Sequence, residues 1–113
     1  PLFEFVKLPK NVIGRLDGRS SLGRLGIVVH STAGTVDPGY EGHLTMELMN
    51  SGMLPVALYP LMRVATLILA TLSSEAMKPY EGKYGRIADF VSVESKLHRD
   101  KELKRIRLMN SYI

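Results

Sequence analysis

Glycine and proline divide this chain into short segments, and that punctuation limits the folds it can adopt. The 113 residues include 10 glycines and 6 prolines, with short apolar runs between them. Proline lacks the amide proton that a helix interior or a central strand needs, and glycine favours turns. Short apolar runs at this spacing are typical of an all-β domain. We therefore predict one domain of short strands, without internal repeats or low-complexity segments.

Five apolar runs have the composition or the alternation of β-strands. His43–Met49 alternates most clearly, with Leu44, Met46 and Leu48 on one face. Arg63–Leu72 is apolar on both faces, which is typical of a buried strand. The predicted strands are Phe3–Leu8, Leu25–His30, His43–Met49, Val56–Tyr59 and Arg63–Leu72, and the predicted turns are Asp37–Tyr40 and Asn50–Gly52.

The positive charge of the chain lies mainly near its C-terminus. Residues 94–107 hold six basic and three acidic side chains, so they supply +3 of the formal net charge of +4. The rest of the chain is close to neutral, and only 7% of all residues are aromatic. A nucleic-acid-binding body would need a basic surface and aromatic side chains for stacking. We therefore expect no nucleic-acid partner.

The same C-terminal residues have a helical pattern. Ser95–Met109 contains no glycine or proline, and its apolar residues recur every three positions. We predict a β domain over residues 1–93 and a short helical tail over residues 94–113. A solvated charged helix is the simplest interpretation of the tail. Packing on the body or a partner subunit, or binding to a calmodulin-like protein, a membrane surface or nucleic acid, are alternatives.

The composition excludes several chemistries. With no cysteine, the chain holds no disulfide and no thiolate metal site. Its histidines, His30, His43 and His98, lie 13 and 55 residues apart, which matches no zinc-binding pattern. No apolar run reaches the roughly 18 residues of a membrane span, and the first residues lack the order of a signal peptide. We expect a cytoplasmic protein without a membrane partner.

Glu47 is the carboxylate whose position most needs an explanation. In the predicted strand it stands on the face opposite Leu44, Met46 and Leu48. Apolar neighbours disfavour the charged form of a carboxylate, which raises its pKa toward values suited to acid–base catalysis. A solvent-facing glutamate on a half-exposed sheet is the simpler interpretation of the spacing alone.

Gly18–Gly26 is the densest polar segment of the chain. Its two arginines, two serines and three glycines suit a polyphosphate, because guanidinium groups supply paired donors and glycine lets backbone amides approach phosphate oxygens. The spacing is not that of a Walker loop, and a basic surface turn is the alternative. Asp37, which begins the next predicted turn, commonly caps its own backbone in this sequence context.

An ordered series of segments carries a family resemblance. They are Gly18–Gly26 (GRSSLGRLG), His30–Gly34 (HSTAG), Val36–Gly42 (VDPGYEG), Leu44–Gly52 (LTMELMNSG), Leu54–Tyr59 (LPVALY), Met62–Ala65 (MRVA) and the pairs Pro79-Tyr80 and Lys83-Tyr84. This series, which spans roughly residues 3–86 without a sizeable gap, resembles the dCTP deaminase family of the dUTPase-like superfamily.

The resemblance implies a fold and an activity. The expected subunit is a distorted jelly-roll or β-barrel in a homotrimer, with active sites between subunits. The expected activity is zinc-independent deamination of dCTP to dUTP, with Mg²⁺ carried by the nucleotide triphosphate. The family's N-terminal portion has no counterpart before Pro1. The chain is therefore expected to be the later part of a longer subunit.

The resemblance also implies residue roles. Glu47 would be the acid–base that moves a proton from water to the cytosine ring and the leaving amine. Ser20 and Arg24 would sit beside that water and the reacting base, and Asp37 would complete the catalytic set near the sugar. The implied nucleotide-binding residues are Arg19, Ser20, Ser21, Leu22, Gly23, Arg24, Asp37, Thr45, Met46, Glu47, Tyr80 and Lys83.

A second activity is implied by the bifunctional members of the family. These also cleave dUTP to dUMP and pyrophosphate, with the aspartate that matches Asp37 aiding attack of water on the α-phosphate. Gly34 resembles these members, whereas Thr35 stands where they usually carry an aromatic residue. We therefore expect a bifunctional enzyme.

Several positions depart from the family pattern. Thr66 replaces a glutamine that helps to hold the nucleotide, and Leu61 replaces the glycine of a Y-P-G-M turn. The closing segment after Tyr84 lacks its usual glutamine, and Ser95–Leu97 stands where the family's Ser-Arg endpoint is expected, a little later in the chain. The alternatives left by these departures are an enzyme that only hydrolyses dUTP and a non-catalytic nucleotide-binding homologue.

Overall fold

The computed structural model describes residues 1–30, 33–84, 95–97 and 100–110, in which short antiparallel strands predominate. The elements are β1 (Phe5–Lys7), β2 (Val12–Asp17), α1 (Ser20–Gly23), β3 (Ile27–Val28), β4 (Thr35–Val36), β5 (Glu41–His43), β6 (Met49–Asn50), β7 (Thr66–Thr71) and α2 (Lys101–Asn110). Within this part of the chain the strands form the pairs β1–β5 and β3–β6 and the sheet β4–β2–β7, all antiparallel. The prediction of an all-β fold with a short C-terminal helix is confirmed.

Strand β2, at the centre of the three-stranded sheet, was not predicted. Leu16 is buried between the exposed Arg15 and Asp17, so the strand alternates, but Gly14 interrupts the pattern in the sequence. A Cβ atom at Gly14 would lie 3.1 Å from side-chain atoms of both Leu67 and Val36. The small residue is therefore needed where the side chains of β4 and β7 converge.

The core consists of two apolar clusters. The larger contains Leu8, Leu16, Val36, Tyr40 and Leu44, and the smaller contains Leu22, Ile27 and Val29. Met46 packs against both clusters, so the segment between β5 and β6 passes from one to the other. This packing determines where the neighbouring Thr45 and Glu47 lie.

Four of the five predicted strands form only in part, as β1, as β3, as the adjoining ends of β5 and β6, and as β7. The strand predicted over His43–Met49 ends at His43, and regular structure resumes at Met49 with β6. The side chain of Leu44 is nevertheless buried in the core. Its backbone is held there by the amide of Leu2, which donates to Leu44 O at 2.7 Å. The alternation therefore predicted the burial of Leu44 correctly, although residues 44–48 belong to no strand.

The expected burial of Arg63–Leu72 on both faces is wrong. Its ordered part is β7, which pairs with β2 alone in the described sheet. Ile68 and Leu69 are 45% and 56% exposed, and Leu67 is the residue of this edge strand that packs against the larger cluster. The strand predicted over Val56–Tyr59 is also wrong, since these residues have no regular structure.

The tail contains the predicted helix, α2, over Lys101–Asn110. The predicted boundary between the β domain and the tail, at residues 93 and 94, lies outside the described residues and stays a prediction. No helix in the described part of the chain is long and apolar enough to span a membrane.

Candidate active site

The polar segment Gly18–Gly26 folds around one buried side chain. Leu22 is only 2% exposed and lies in the single turn of α1, while Ser20, Ser21 and Arg24 are exposed around it. The turn is closed by the amide of Gly23, which donates to Arg19 O at 2.9 Å, and the amide of Arg24, which donates to Ser20 O at 2.9 Å. The buried leucine therefore fixes a turn that presents hydroxyl and guanidinium groups to the surface.

The end of this segment is joined to the segment that contains Glu47. Strand β3 pairs with β6, so that Ile27 faces Asn50 and Val28 faces Met49. Ser51 adds two hydrogen bonds, because both its amide and its hydroxyl donate to Gly26 O at 2.8 Å. Gly26 has a φ of +86°, which glycine adopts without a steric cost.

Glu47 lies outside the strands and is exposed, so its predicted place in mid-strand is wrong. Its amide donates a long, 3.5 Å hydrogen bond to Nδ1 of His30. On the other side of the same ring, Nε2 lies 2.6 Å from Ala33 O. A carbonyl only accepts, so the proton sits on Nε2, which leaves Nδ1 free to accept the Glu47 amide.

His30 is thus a site residue that the sequence reasoning missed. It has a φ of +106°, which is uncommon for a residue with a side chain. The signal available in the sequence was its place at the end of a β-branched run, directly before the segment that contains Gly34. The His30 ring links the carbonyl of Ala33, after β3, to the backbone amide of Glu47.

Asp37 lies in a second group of predicted residues. The predicted turn over Asp37–Tyr40 is confirmed, with the amide of Tyr40 donating to Asp37 O at 3.0 Å. Tyr80 fastens this turn, because its amide donates to Pro38 O at 2.7 Å. Gly39 has a φ of +84°, and a Cβ there would lie 2.8 Å from Pro79 Cβ.

The phenol of Tyr80 links the Asp37 turn to the residues that follow. Its ring centroid lies 5.3 Å from that of Tyr40, and its oxygen accepts the amide of Tyr84 at 3.0 Å. Burial raises the pKa of Tyr80, and the nearby carboxylate of Asp37 raises it further, against the lowering effect of the Tyr84 hydrogen bond. Burial is also the main cause of the raised pKa of Tyr40.

The described contacts therefore arrange the predicted residues in two groups. In the first, the Ser20–Arg24 turn is joined to the Thr45–Glu47 segment through β3, β6 and the smaller cluster. In the second, Asp37 lies beside Tyr80, and Lys83 follows Tyr80 along the chain. The two groups meet at the larger cluster, against which both Met46 and Tyr80 pack.

The two arginines of the loop have different surroundings. Arg19 donates from Nη1 to Arg63 O at 2.7 Å, which anchors it to the segment before β7. Arg24 lines a surface depression of about 590 Å³ with Leu25 and residues 53–57, all of them outside the predicted site except Arg24. The depression has largely apolar walls and one guanidinium group.

Gly34 and Thr35 lie at the edge of the three-stranded sheet. The amide of Leu16 donates to Gly34 O at 2.7 Å, and Thr35 pairs with Arg15. A Cβ at Gly34 would lie 3.4 Å from Leu16 O, an ordinary contact. Glycine is therefore not required there by packing.

Metal binding by protein groups alone has little support in the described residues. Within residues 1–30, 33–84, 95–97 and 100–110, no three His, Asp or Glu side chains are close enough together to hold an ion.

A comparison with protein-family models agrees with this arrangement of segments. The model described as dCTP deaminase-like matches residues 1–72, which include the Ser20–Arg24 turn, Asp37 and Glu47. The chain belongs to the dCTP deaminase-like family. The resemblance inferred from the ordered motifs is therefore confirmed.

Curated relatives support the same family. A protein of Methanosphaera stadtmanae named "dCTP deaminase, dUMP-forming" is 53% identical over 78 residues, which are 69% of this chain and 40% of the relative. One of Methanothermobacter thermautotrophicus with the same name is 41% identical over 109 residues, covering 93% of this chain and 55% of the relative. A Colwellia psychrerythraea protein named "dCTP deaminase" is 46% identical over 105 residues, 86% of this chain and 53% of the relative. The chain thus spans about half the length of the relatives it matches.

Proposed function

We propose that this chain carries active-site residues of a dCTP deaminase that forms dUTP and then dUMP. The observation that supports this most directly is the joining of the Ser20–Arg24 turn to the Glu47 segment by β3 and β6. A carboxylate, a hydroxyl and a guanidinium group are thereby brought to neighbouring segments of one surface. The deaminase names of the relatives supply the reaction class.

In the first reaction, water replaces the exocyclic amine of cytosine, so dCTP and water give dUTP and ammonia. Glu47 takes one proton from the attacking water and passes it to the ring nitrogen, and then carries the second proton from the new hydroxyl to the leaving amine. Ser20 and Arg24 hold the water and the pyrimidine edge, and Thr45 and Met46 line that edge with backbone groups. Because Glu47 is exposed in the chain as described, closure of the site by other groups must exclude water around it.

The polyphosphate of the nucleotide would lie along residues 19–24. The exposed hydroxyls of Ser20 and Ser21 supply hydrogen-bond donors, Gly23 leaves the surface beside them open, and Leu22 holds the turn in place. Tyr80 and Lys83 complete the binding residues from the second group. The larger cluster, against which Met46 and Tyr80 both pack, links the two groups that would act on one nucleotide.

In the second reaction, water attacks the α-phosphate of dUTP, and the products are dUMP and pyrophosphate. Asp37 orients or deprotonates that water. This step is supported by the "dUMP-forming" names of two of the relatives and by Gly34, which resembles the glycine of the bifunctional members.

Mg²⁺ would enter with the triphosphate. Mg²⁺ prefers oxygen ligands and usually retains water alongside phosphate oxygens. The described residues offer isolated carboxylates, such as Asp37, that suit a metal held mainly by phosphate. The chain has no cysteine that could ligate zinc, and we propose that the reaction proceeds without protein-bound zinc.

We also propose that the enzyme is a homotrimer with active sites between subunits. Large apolar side chains are unusually exposed beside the Arg24 depression, with Met53 fully exposed and Leu54 77% exposed. Contiguous apolar surface of this kind is typical of protein interfaces. A second subunit seated there would supply side chains that the two groups of site residues lack. Native mass spectrometry should therefore show a trimer, and a monomer at assay concentration would contradict this proposal.

The deamination proposal is tested by incubating the protein with dCTP and Mg²⁺ and following ammonia, dUTP, dUMP and pyrophosphate. Glu47→Gln should abolish ammonia release and leave dUTP hydrolysis measurable, whereas Asp37→Asn should lead to accumulation of dUTP. Glu75→Gln, at an exposed site away from both groups, is the charge control and should retain activity. Pyrophosphate from dUTP without ammonia from dCTP would instead show a dUTP diphosphatase, and binding without products a non-catalytic homologue.

A further inference from the structure

Two lysine side chains lie close to the ring of Tyr84, which follows Tyr80 and Lys83 of the second group. Nζ of Lys83 lies 5.4 Å and Nζ of Lys96 5.9 Å from the ring centroid of Tyr84. The amide of Lys96 donates to the Tyr84 hydroxyl at 3.1 Å, and Nζ of Lys96 donates to Lys83 O at 3.2 Å. Two ammonium groups that are 13 positions apart in the sequence are thus held on one small surface.

A carboxylate already occupies this surface. Asp100, directly before α2, forms an ion pair with Lys83, and the two side chains are 37% and 25% exposed. The amide of Asp100 donates to Leu97 O at 3.0 Å, which holds Asp100 close to the residue that follows Lys96. One carboxylate facing two ammonium groups leaves the cluster with a net positive charge.

We propose that Lys83 and Lys96 form a binding site for the polyphosphate part of the nucleotide, and that Asp100 competes for it. Asp100 holds Lys83 when no ligand is bound, and an incoming polyphosphate takes its place. The inference deepens the proposed function, because it assigns Lys96 to ligand binding and gives Asp100 an inhibitory role in the same site.

The charges explain why an exchange is expected. A polyphosphate brings several negative charges and many acceptor oxygens to two ammonium groups, whereas Asp100 brings one carboxylate to one of them. Both side chains of the ion pair remain partly open to water, so the pair contributes little and can be displaced. Attraction between an anion and lysines at a partly exposed site also weakens with added salt.

The test uses inorganic tripolyphosphate as the probe, titrated into the whole chain by calorimetry at low ionic strength. Asp100→Asn removes the competing charge, and asparagine remains a good residue for the start of a helix. It should bind tripolyphosphate about two- to five-fold more tightly than the parent, the range expected for loss of a partly exposed ion pair. Glu102→Gln removes the same charge from the exposed first turn of α2 and should have a smaller effect.

Two lysine variants test whether Lys96 binds the polyphosphate. Lys96→Met should weaken tripolyphosphate binding by a similar factor, while the exposed Lys101→Met should leave it close to the parent. The competition is overturned if Asp100→Asn binds no more tightly than Glu102→Gln, or if tripolyphosphate binds to neither the parent nor Asp100→Asn. If the predicted changes occur but dCTP yields no ammonia, the lysine site is supported and the deaminase proposal fails.

Discussion

Gly26 and Gly52 approach each other so closely that a Cβ atom on Gly26 would lie 2.7 Å from the backbone nitrogen of Gly52. This contact lies beside the β3–β6 pair, where Ser51 donates twice to Gly26 O. This contact between two backbones therefore helps to fix the distance from the Ser20–Arg24 turn to the Glu47 segment, together with the smaller cluster.

Gly26→Ala should consequently destabilise the protein. The substitution combines a φ of +86° with a clash against backbone, which together cost roughly 2–4 kcal/mol. The free energy of unfolding in urea measures the effect. Gly23→Ala is the matched control, because nothing lies within 4 Å of a Cβ there and alanine favours α1 by about 1 kcal/mol. Equal effects of the two substitutions would contradict the close approach.

Leu61 offers a stabilising substitution. It has a φ of +66° and is 78% exposed, so its side chain contributes little packing to offset a strained backbone. Leu61→Gly should raise the free energy of unfolding by about 0.5–1 kcal/mol, the cost of a left-handed residue less the added freedom of glycine when unfolded. Met62→Gly, at a position without positive φ, should lower the free energy of unfolding. A loss of stability in Leu61→Gly would show that the leucine makes contacts in the assembled enzyme.

His30→Asn tests the link to Glu47. Asparagine tolerates a positive φ, but its shorter side chain cannot bond to Ala33 O and the Glu47 amide together. Loss of one hydrogen bond that positions Glu47 should lower kcat for deamination by about three- to ten-fold, with a smaller change in KM. Urea unfolding of the same sample separates this from a general loss of structure. An unchanged kcat would mean that Glu47 is positioned by other contacts.

Alkaline pH should destabilise the Tyr40–Tyr80 pair. Burial raises the pKa of both phenols above the unfolded value of 10.0, so folding favours their neutral forms. That contribution is complete below about pH 10 and is lost as pH rises through the folded pKa values. The free energy of unfolding should therefore fall above pH 10, and less steeply in Tyr80→Phe. Tyr59→Phe, at a side chain 71% exposed, should keep the parent slope.

Some of this architecture follows from local chemistry. Glycine and proline spacing predicted the all-β fold, the Asp37–Tyr40 turn needed only its own residues, and the uninterrupted run before Asn110 predicted α2. Strand β2 was missed because Gly14 serves a packing need created by β4 and β7, which no local pattern contains. The burial of Arg63–Leu72 was overestimated because an apolar run does not reveal whether a neighbouring layer is present.

The sequence alone also determined which chemical groups are available and in what order: a loop rich in arginine and serine, an aspartate in a turn, a glutamate after β5, and no cysteine. Only the tertiary structure decided which of them meet. Gly26 touches Gly52, His30 reaches the Glu47 backbone, and Asp100 pairs with Lys83, each across 17 or more positions. Such long-range contacts depend on packing around the two apolar clusters, because chain spacing does not specify which distant backbones those clusters hold together.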